Sequence, residues 1–176
     1  WYSGNEFDLA ELGGIGPQTV EMGRAVVAPD HRSGAVTGLL WTAVLGYLDD
    51  GGYRYLMGCV SVPLGSGPDR GRALRGIRDL VREDYAAPWR VRPYRHVEVD
   101  GAGLDQLPPV AKPVLPPLLR GYLRLGARVC GDPAFDEVFD VGDFFTVIDR
   151  DKGDERYLAR LRGALSRLSG TGAEER

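Results

Sequence analysis

Residues 19–62, TVEMGRAVVAPDHRSGAVTGLLWTAVLGYLDDGGYRYLMGCVSV, decide the fold class. Thr19 to Val27 is rich in strand-forming residues, and Gly23 marks a bulge or a close backbone approach within it. Pro29-Asp30-His31-Arg32-Ser33-Gly34 is turn chemistry. Beyond the turn, Val36, Leu39, Leu40, Ala43, Val44, Tyr47 and Leu48 recur at helical spacing, which predicts a helix with that face turned inward. Gly51-Gly52 ends it. Tyr55 to Val62 is then a nearly unbroken apolar run, as a strand buried on both faces requires. Strand, turn, helix and strand in this order predict an α/β fold.

The chain beyond Val62 is less regular. Arg72 to Tyr85 reads as a helix with Leu74, Ile77, Leu80 and Val81 inward, and Val91 to Val99 as an extended segment. Five prolines between Pro108 and Pro117 forbid a continuous helix, so Leu104 to Pro117 is a rigid loop leading into a short helix at Leu118 to Leu125. Ala127 to Gly131 and Phe139 to Ile148 read as strands around an acidic connection, and Glu155 to Leu168 as a last helix. The expectation is a single domain over residues 1–168 and a disordered tail over 169–176.

Composition narrows the function. The 176 residues are 43% hydrophobic and 27% charged, with a net charge of −3, which excludes a polycation for nucleic acid. Two cysteines give no disulfide framework, and a cytoplasmic home is the simpler one. No apolar run approaches the ~20 residues of a membrane span. Eight arginines lie between Arg70 and Arg95, and every charge from Gln106 to Gly131 is positive. These blocks read as one basic face, toward an acidic protein or an anionic membrane surface, or as plain solvated charge.

Metal ligation finds no ligand-spaced pair, because His31 and His96 are far apart, as are Cys59 and Cys130. Cys59 reads as an inert core residue, and Gly65-Ser66-Gly67 as a turn rather than a nucleophile. The turn at Arg32 to Val36 is more telling. A helix start offers free backbone N–H groups and a positive dipole end, and Arg32 adds a fixed charge, so the turn is an anion site or an ordinary strand-to-helix connection.

Val27-Ala28-Pro29-Asp30-His31-Arg32, with the small-residue turn and long helix after it, resembles the donor-binding segment of the GNAT acyltransferase superfamily. The glycines in Arg32-Ser33-Gly34-Ala35-Val36 are displaced from the usual Arg/Gln-x-x-Gly-x-Gly/Ala pattern. That departure is closer to the ornithine N-acyltransferases of ornithine-lipid synthesis and, distantly, the acyl-homoserine-lactone synthases. Glu21-Met22-Gly23-Arg24, Tyr55 to Ser61, and Tyr122 to Ala127 with Asp136 and Phe139 also look like the ornithine group. The resemblance spans Trp1 to Arg160. It implies a mixed central sheet with flanking helices, and further strands and helices ahead of Phe7-Asp8-Leu9, so the N-terminal part of the fold is expected to be missing here. An N-terminal fragment or a second copy would then complete it.

The same resemblance implies the chemistry. Glu21 would accept the amine proton, with Arg24 beside it as a possible ion-pair mate. Backbone N–H groups at Val26 and Val27 would face the thioester carbonyl. Arg32, Ser33, Gly34, Ala35 and Val36 would hold the phosphate of an acyl-phosphopantetheine arm, carried by acyl carrier protein or by CoA as co-substrate. The expected enzyme joins a fatty acyl group to an amino-acid amine, ornithine first, in the cytoplasm or at the inner membrane face. An acetyl-CoA-dependent N-acetyltransferase and a non-catalytic binding fragment are the competing expectations.

Overall fold

A computed structural model describes residues 1–31 and 34–153, with Ala159 and Gly163; of residues 34 and 35 it gives the backbone alone. Arg32, Ser33, most of the expected last helix and the tail lie outside the described residues. In chain order the elements are β1 (Phe7–Asp8), β2 (Thr19–Glu21), α1 (Gly34–Asp50), β3 (Tyr55–Pro63), α2 (Arg72–Asp84), β4 (Arg92–Pro93), β5 (Glu98–Val99), β6 (Ala102–Gly103), α3 (Pro117–Arg124), β7 (Arg128–Val129), β8 (Ala134–Asp136) and β9 (Val141–Asp149).

The main sheet has the order β2-β3-β9-β7, and β8 also pairs with β9. β2 runs parallel to β3, with Thr19 opposite Tyr55 and Glu21 opposite Met57. β3 and β9 are antiparallel over their full lengths, from Tyr55 opposite Asp149 to Pro63 opposite Val141. The expected mixed sheet with flanking helices is therefore what the chain forms. β1 with β4, and β5 with β6, make two short antiparallel pairs beside it.

Alternation along β3 and β9 sorts the core into two faces. The even positions Leu56, Val60, Val62, Phe144 and Ile148 pack with Trp41, Leu45 and Leu48 of α1, Leu74, Ile77 and Val81 of α2, and Leu119, Tyr122 and Leu123 of α3. The odd positions Tyr55, Met57, Phe145 and Val147 pack with Phe7, Leu12, Val91 and Cys130. Both faces of the sheet are covered, which is why β3 reads as an unbroken apolar run.

Two expectations fail for identifiable reasons. The predicted inward face of α1 is only partly the buried one: Leu48 is buried and Val44 packs against the core as expected, but Leu39, Leu40 and Tyr47 are exposed, and Trp41 and Leu45 are buried in their place. The helix is apolar nearly all round, so two overlapping stripes fit the same spacing. The edge-to-face contact of Trp41 with Tyr122, 4.9 Å between centroids, selects one of them. The strand expected over Thr19 to Val27 stops at Glu21, and one more ladder bond follows, from Met22 N to Met57 O. Arg24 then turns into left-handed backbone at φ 56°, and Val26 is exposed. Opposite this exit, Gly58 of β3 lies so close to the Met22 carbonyl that no Cβ fits between them.

The arginine block between Arg70 and Arg95 is not a free basic face. Arg70 pairs with Asp140, Arg72 with Asp69, Arg75 with Asp79 and Asp105, Arg78 with Asp79, Asp105 and Asp132, and Arg95 with Glu137. Arg82, Arg90 and Arg92 enter none of the described ion pairs, so part of the positive field remains. No helix among the described residues is long and apolar enough to cross a membrane.

Candidate active site

The odd-numbered face of the central strands changes character along its length. On β3 it runs Tyr55, Met57, Cys59, Ser61, and on β9 it runs Val147, Phe145, Asp143. The apolar end is closed by Phe7 and Leu12, and the polar end opens into a cavity of about 760 Å³. That volume lies within the ~300–1,000 Å³ usual for small-molecule sites. Besides the strand residues, its wall includes Tyr2, Ser3, Glu6, Glu21 to Arg24, Asp136 and Phe139. The cavity sits where β2 leaves β3.

Glu21 is at the sheet edge with its carboxylate toward the N-terminal turn. Oε1 accepts the backbone N–H of Ser3 at 2.8 Å and the Ser3 hydroxyl at 2.6 Å, and Oε2 accepts the Tyr2 N–H at 2.6 Å. The anticipated ion pair with Arg24 is absent from the described residues. Arg24 instead lays its guanidinium over the Tyr2 ring, 4.9 Å from the centroid. Glu21 and Arg24 thus meet through the Tyr2–Ser3 turn rather than directly. Among the described residues, Arg24 is the single cation lining the cavity.

Three further carboxylates line the cavity: Glu6, Asp136 and Asp143. Asp136 accepts the backbone N–H groups of Val138 and Phe139. Asp143, only 5% exposed, is the third residue of the buried strand β9, and its Oδ1 has no hydrogen-bond partner among the described residues. Glu6 Oε2 is in the same condition. Burial raises the Asp143 carboxyl above the ordinary aspartate range, partly offset by a hydrogen bond from Ser61. Burial, and then the charges of Asp143, Asp136 and Glu21, raise Glu6 likewise. Neither Glu6 nor Asp143 was singled out from sequence, although an acid inside the apolar run Val141 to Ile148 was the available signal.

Cys59 departs from the core reading in position but not in chemistry. It is half-buried on the cavity wall, its Sγ 3.3 Å from Ser3 Oγ, and burial pushes the thiol up to about 12. It stays a thiol near neutral pH, so it is not an activated nucleophile. Among the described residues no group of His, Cys, Asp and Glu could hold a metal ion. Val26 and Val27 lie on the segment that has left the sheet, and α1 begins at Gly34 after a short turn at Pro29–His31.

The raised carboxyls make a stability prediction. Asp143 holds its proton more tightly folded than unfolded, so its contribution falls as pH rises from the ordinary carboxylate range through the raised folded value. Asp143→Asn is expected to melt above the wild type at neutral pH, and the excess is expected to vanish on acidification below ~pH 4. Thermal melts of both proteins from about pH 4 to about pH 8 check this. A variant that melts below the wild type at neutral pH would make the carboxylate a net stabiliser.

Residues 1–42 match the family described as Acetyltransferase (GNAT) domain. The chain is 32% identical over 96% of its length to an L-ornithine N(alpha)-acyltransferase of Rhizobium meliloti, covering 58% of that protein. It is 32% identical over 96% to the protein of the same name in Brucella abortus, covering 61% of it. Against the Agrobacterium fabrum protein of that name it is 28% identical over 97%, covering 59% of it. The chain thus spans about six tenths of the length of these curated relatives. No solved structure matches it. Taken together, the GNAT match over residues 1–42 and the likeness along nearly its whole length make the chain similar to proteins named as N-acyltransferases.

Proposed function

We propose that the cavity is the acceptor site of an N-acyltransferase that joins a fatty acyl group to the α-amine of an amino acid, with ornithine as the leading acceptor. One observation carries the reading: a carboxylate-lined cavity with a single rim cation opens where β2 parts from β3. Departing strands leave backbone N–H groups that a thioester carbonyl can reach, and Val26 and Val27 lie on that departing segment. A carboxylate-rich wall attracts an ammonium substrate. The name shared by the relatives supports ornithine.

Each residue has a role in this reading. Arg24 takes the acceptor's α-carboxylate with the N–H edge that its stacking on Tyr2 leaves exposed. Glu21 accepts the amine proton, directly or through a water, at the lone pair that Oε2 retains after binding Tyr2 N–H. The amine, once neutral, attacks the thioester carbon; the oxyanion is held by N–H groups near Val26 and Val27, and the thiol leaves. Arg32 and Ser33 to Val36 hold the pantetheine phosphate at the start of α1. The donor is an acyl carrier protein, with acyl-CoA as the other thioester source, and the enzyme works in the cytoplasm or at the inner membrane face. A small-molecule acetyltransferase is the second enzymatic reading, and a non-catalytic binding fragment the third.

Acyl transfer from acyl carrier protein to ornithine, followed by mass spectrometry of the amide, tests this. Arginines left unpaired at the surface steer an acidic donor, so the rate is expected to fall several-fold between low and physiological salt, where the Debye length is ~8 Å. Efficient use of acetyl-CoA with indifference to the carrier protein would move the assignment to the second reading. Absence of transfer from any thioester would move it to the third.

A further inference from the structure

The acyltransferase reading accounts for Glu21 and Arg24 but leaves the two costliest groups in the cavity without a task. Asp143 is 95% buried as the third residue of β9, whose other acid, Asp149, is paired with Arg54 at the far end, and its Oδ1 meets no donor among the described residues. Glu6, on the segment entering β1, has a buried oxygen in the same state and feels the charge of Asp143 across the cavity. An unpaired buried carboxylate destabilises a fold, and two sharing one cavity repel each other. Such an arrangement is kept where a ligand supplies the missing charge.

The chemistry of that ligand follows from the surroundings. It is cationic, because Glu6, Glu21, Asp136 and Asp143 all face it and Arg24 at the rim is the only lining cation among the described residues. The carboxylates do not converge as a metal cage does among the described residues, so a hydrogen-bonding cation fits better than a divalent ion. An ammonium brings three N–H donors, enough for the orphaned oxygens of Asp143 and Glu6 and for the Ser61 hydroxyl beside them.

We propose that Asp143, with Glu6 beside it, binds the side-chain ammonium of the acceptor, so that the cavity selects a dibasic amino acid over one with a neutral side chain. This rests on the acyltransferase reading for the word acceptor, and on the cavity alone for the ammonium. Arg24 at the rim and Asp143 on the floor then read the two ends of one molecule, and the α-amine is left near Glu21. A hydrogen-bonding site of this kind discriminates against an analogue lacking the group, because its own polar atoms go unpaired.

Calorimetric titration of the chain with L-ornithine and with L-norvaline, which has the same skeleton without the terminal amine, tests the site without any acyl donor. Ornithine is expected to bind ~100-fold more tightly, the usual worth of a charged hydrogen bond. Asp143→Asn is expected to bring the two affinities to within a few-fold, and Glu6→Gln to reduce the gap by a smaller factor. Thermal melts show that each variant is folded, and the two substitutions lie on different elements, so both failing to fold is not expected. Equal binding of the two ligands by the wild type, an undiminished gap in both variants, no binding of either ligand, or displacement of ornithine by magnesium ions would each overturn the proposal. Acyl transfer is scored separately. Amide formed equally on both amino acids leaves the acyltransferase reading standing without this site, and selective binding without any transfer leaves the site standing without that reading.

Discussion

Glu21→Gln is expected to lower acyl transfer per folded molecule by ~10²–10⁴, the usual worth of general acid–base catalysis. The structure changes what else the substitution does. Ser3 N–H and Ser3 Oγ both donate to Oε1, so a glutamine must present its carbonyl oxygen there and its amide N–H₂ to the Tyr2 N–H. Donor then faces donor, the Tyr2–Asn5 turn loosens, and the Tyr2 ring beneath Arg24 moves with it. Part of the loss is therefore positioning. Ser3→Ala separates the two contributions, because it removes the hydroxyl bond and keeps the carboxylate. Its turnover is expected to fall by no more than about tenfold, the scale of one hydrogen bond. Equal losses in Ser3→Ala and Glu21→Gln would reduce Glu21 to an anchor for the turn. Arg24→Met, which disturbs no ion pair with Glu21, is expected to raise KM for the amino acid and to leave the melting temperature nearly unchanged.

The parts of this site that the sequence displays are those where local pattern and tertiary environment agree. β3 falls at Tyr55–Pro63 against an expected Tyr55 to Val62, and α2 at Arg72–Asp84 against Arg72 to Tyr85, because burial on both faces and strong amphipathicity leave one solution each. The prolines before α3 likewise confine it to Pro117–Arg124. β9 begins at Val141 rather than Phe139, because Asp140 takes left-handed backbone and Phe139 is 75% exposed. Illegible features are those decided by a partner distant in sequence. The buried stripe of α1 depends on Tyr122, the end of β2 on the contact between Gly58 and Met22, and the pairing of the arginines on Asp105, Asp132 and Asp140. For the site, Glu21 and Arg24 were visible as a motif. Asp143 was visible only as an acid out of place in a strand, and its meaning needed Glu6, brought to it from 137 residues away by β1 and the cavity wall.

Polarity along one sheet face is the thread connecting fold to chemistry. The odd positions of β3 and β9 build a hydrophobic core at one end and a polar cavity wall at the other, with Met57 and Phe145 on one side of the transition and Cys59 and Asp143 on the other. A strand cannot rotate one residue without exchanging its two faces, so the register that seats Phe144 and Ile148 among the helices also fixes Asp143 in the cavity. The long β3–β9 pairing makes the floor of the site rigid, while its rim, from Tyr2 to Arg24, is held by a few side-chain contacts. On the proposed reading, binding energy spent at the floor orients an acceptor whose amine is presented at the more yielding rim.

Arg78→Met is expected to be the most destabilising of the substitutions considered, by about 2–3 kcal/mol, because a buried guanidinium loses charged hydrogen bonds to acids that are themselves partly solvated. Arg78 lies on the buried side of α2 with 2% of its side chain exposed, and it binds Asp79 at 2.9 Å, Asp132 at 3.1 Å and Asp105. Those acids belong to α2 itself, to the turn after β6, and to the turn between β7 and β8. One guanidinium thus fastens two turns to a helix, and only a planar group with several N–H donors serves three carboxylates at once. Methionine fills much of the volume but leaves Asp132 without its ion-pair partner and Asp79 and Asp105 to share Arg75 alone. For a chain of this length the loss corresponds to a fall in melting temperature of ~10 °C. The pH dependence identifies the cause. Arg78 holds the Asp105 carboxyl below the ordinary range, so this stabilisation is present above the unfolded carboxylate value and is lost as pH falls through the depressed one. The gap between wild type and variant is therefore expected to be full at neutral pH and to narrow under acid, opposite in sense to the Asp143→Asn comparison. Asp132 stands just ahead of β8, whose last residue, Asp136, lines the cavity, so loosening this turn is expected to weaken ornithine binding as well. Arg78→Lys, with the charge but not the fork, is expected to fall between the two. A melting temperature for Arg78→Met equal to that of the wild type, or a gap that widens under acid, would show that the acids draw nothing from Arg78 and that apolar packing alone holds these turns.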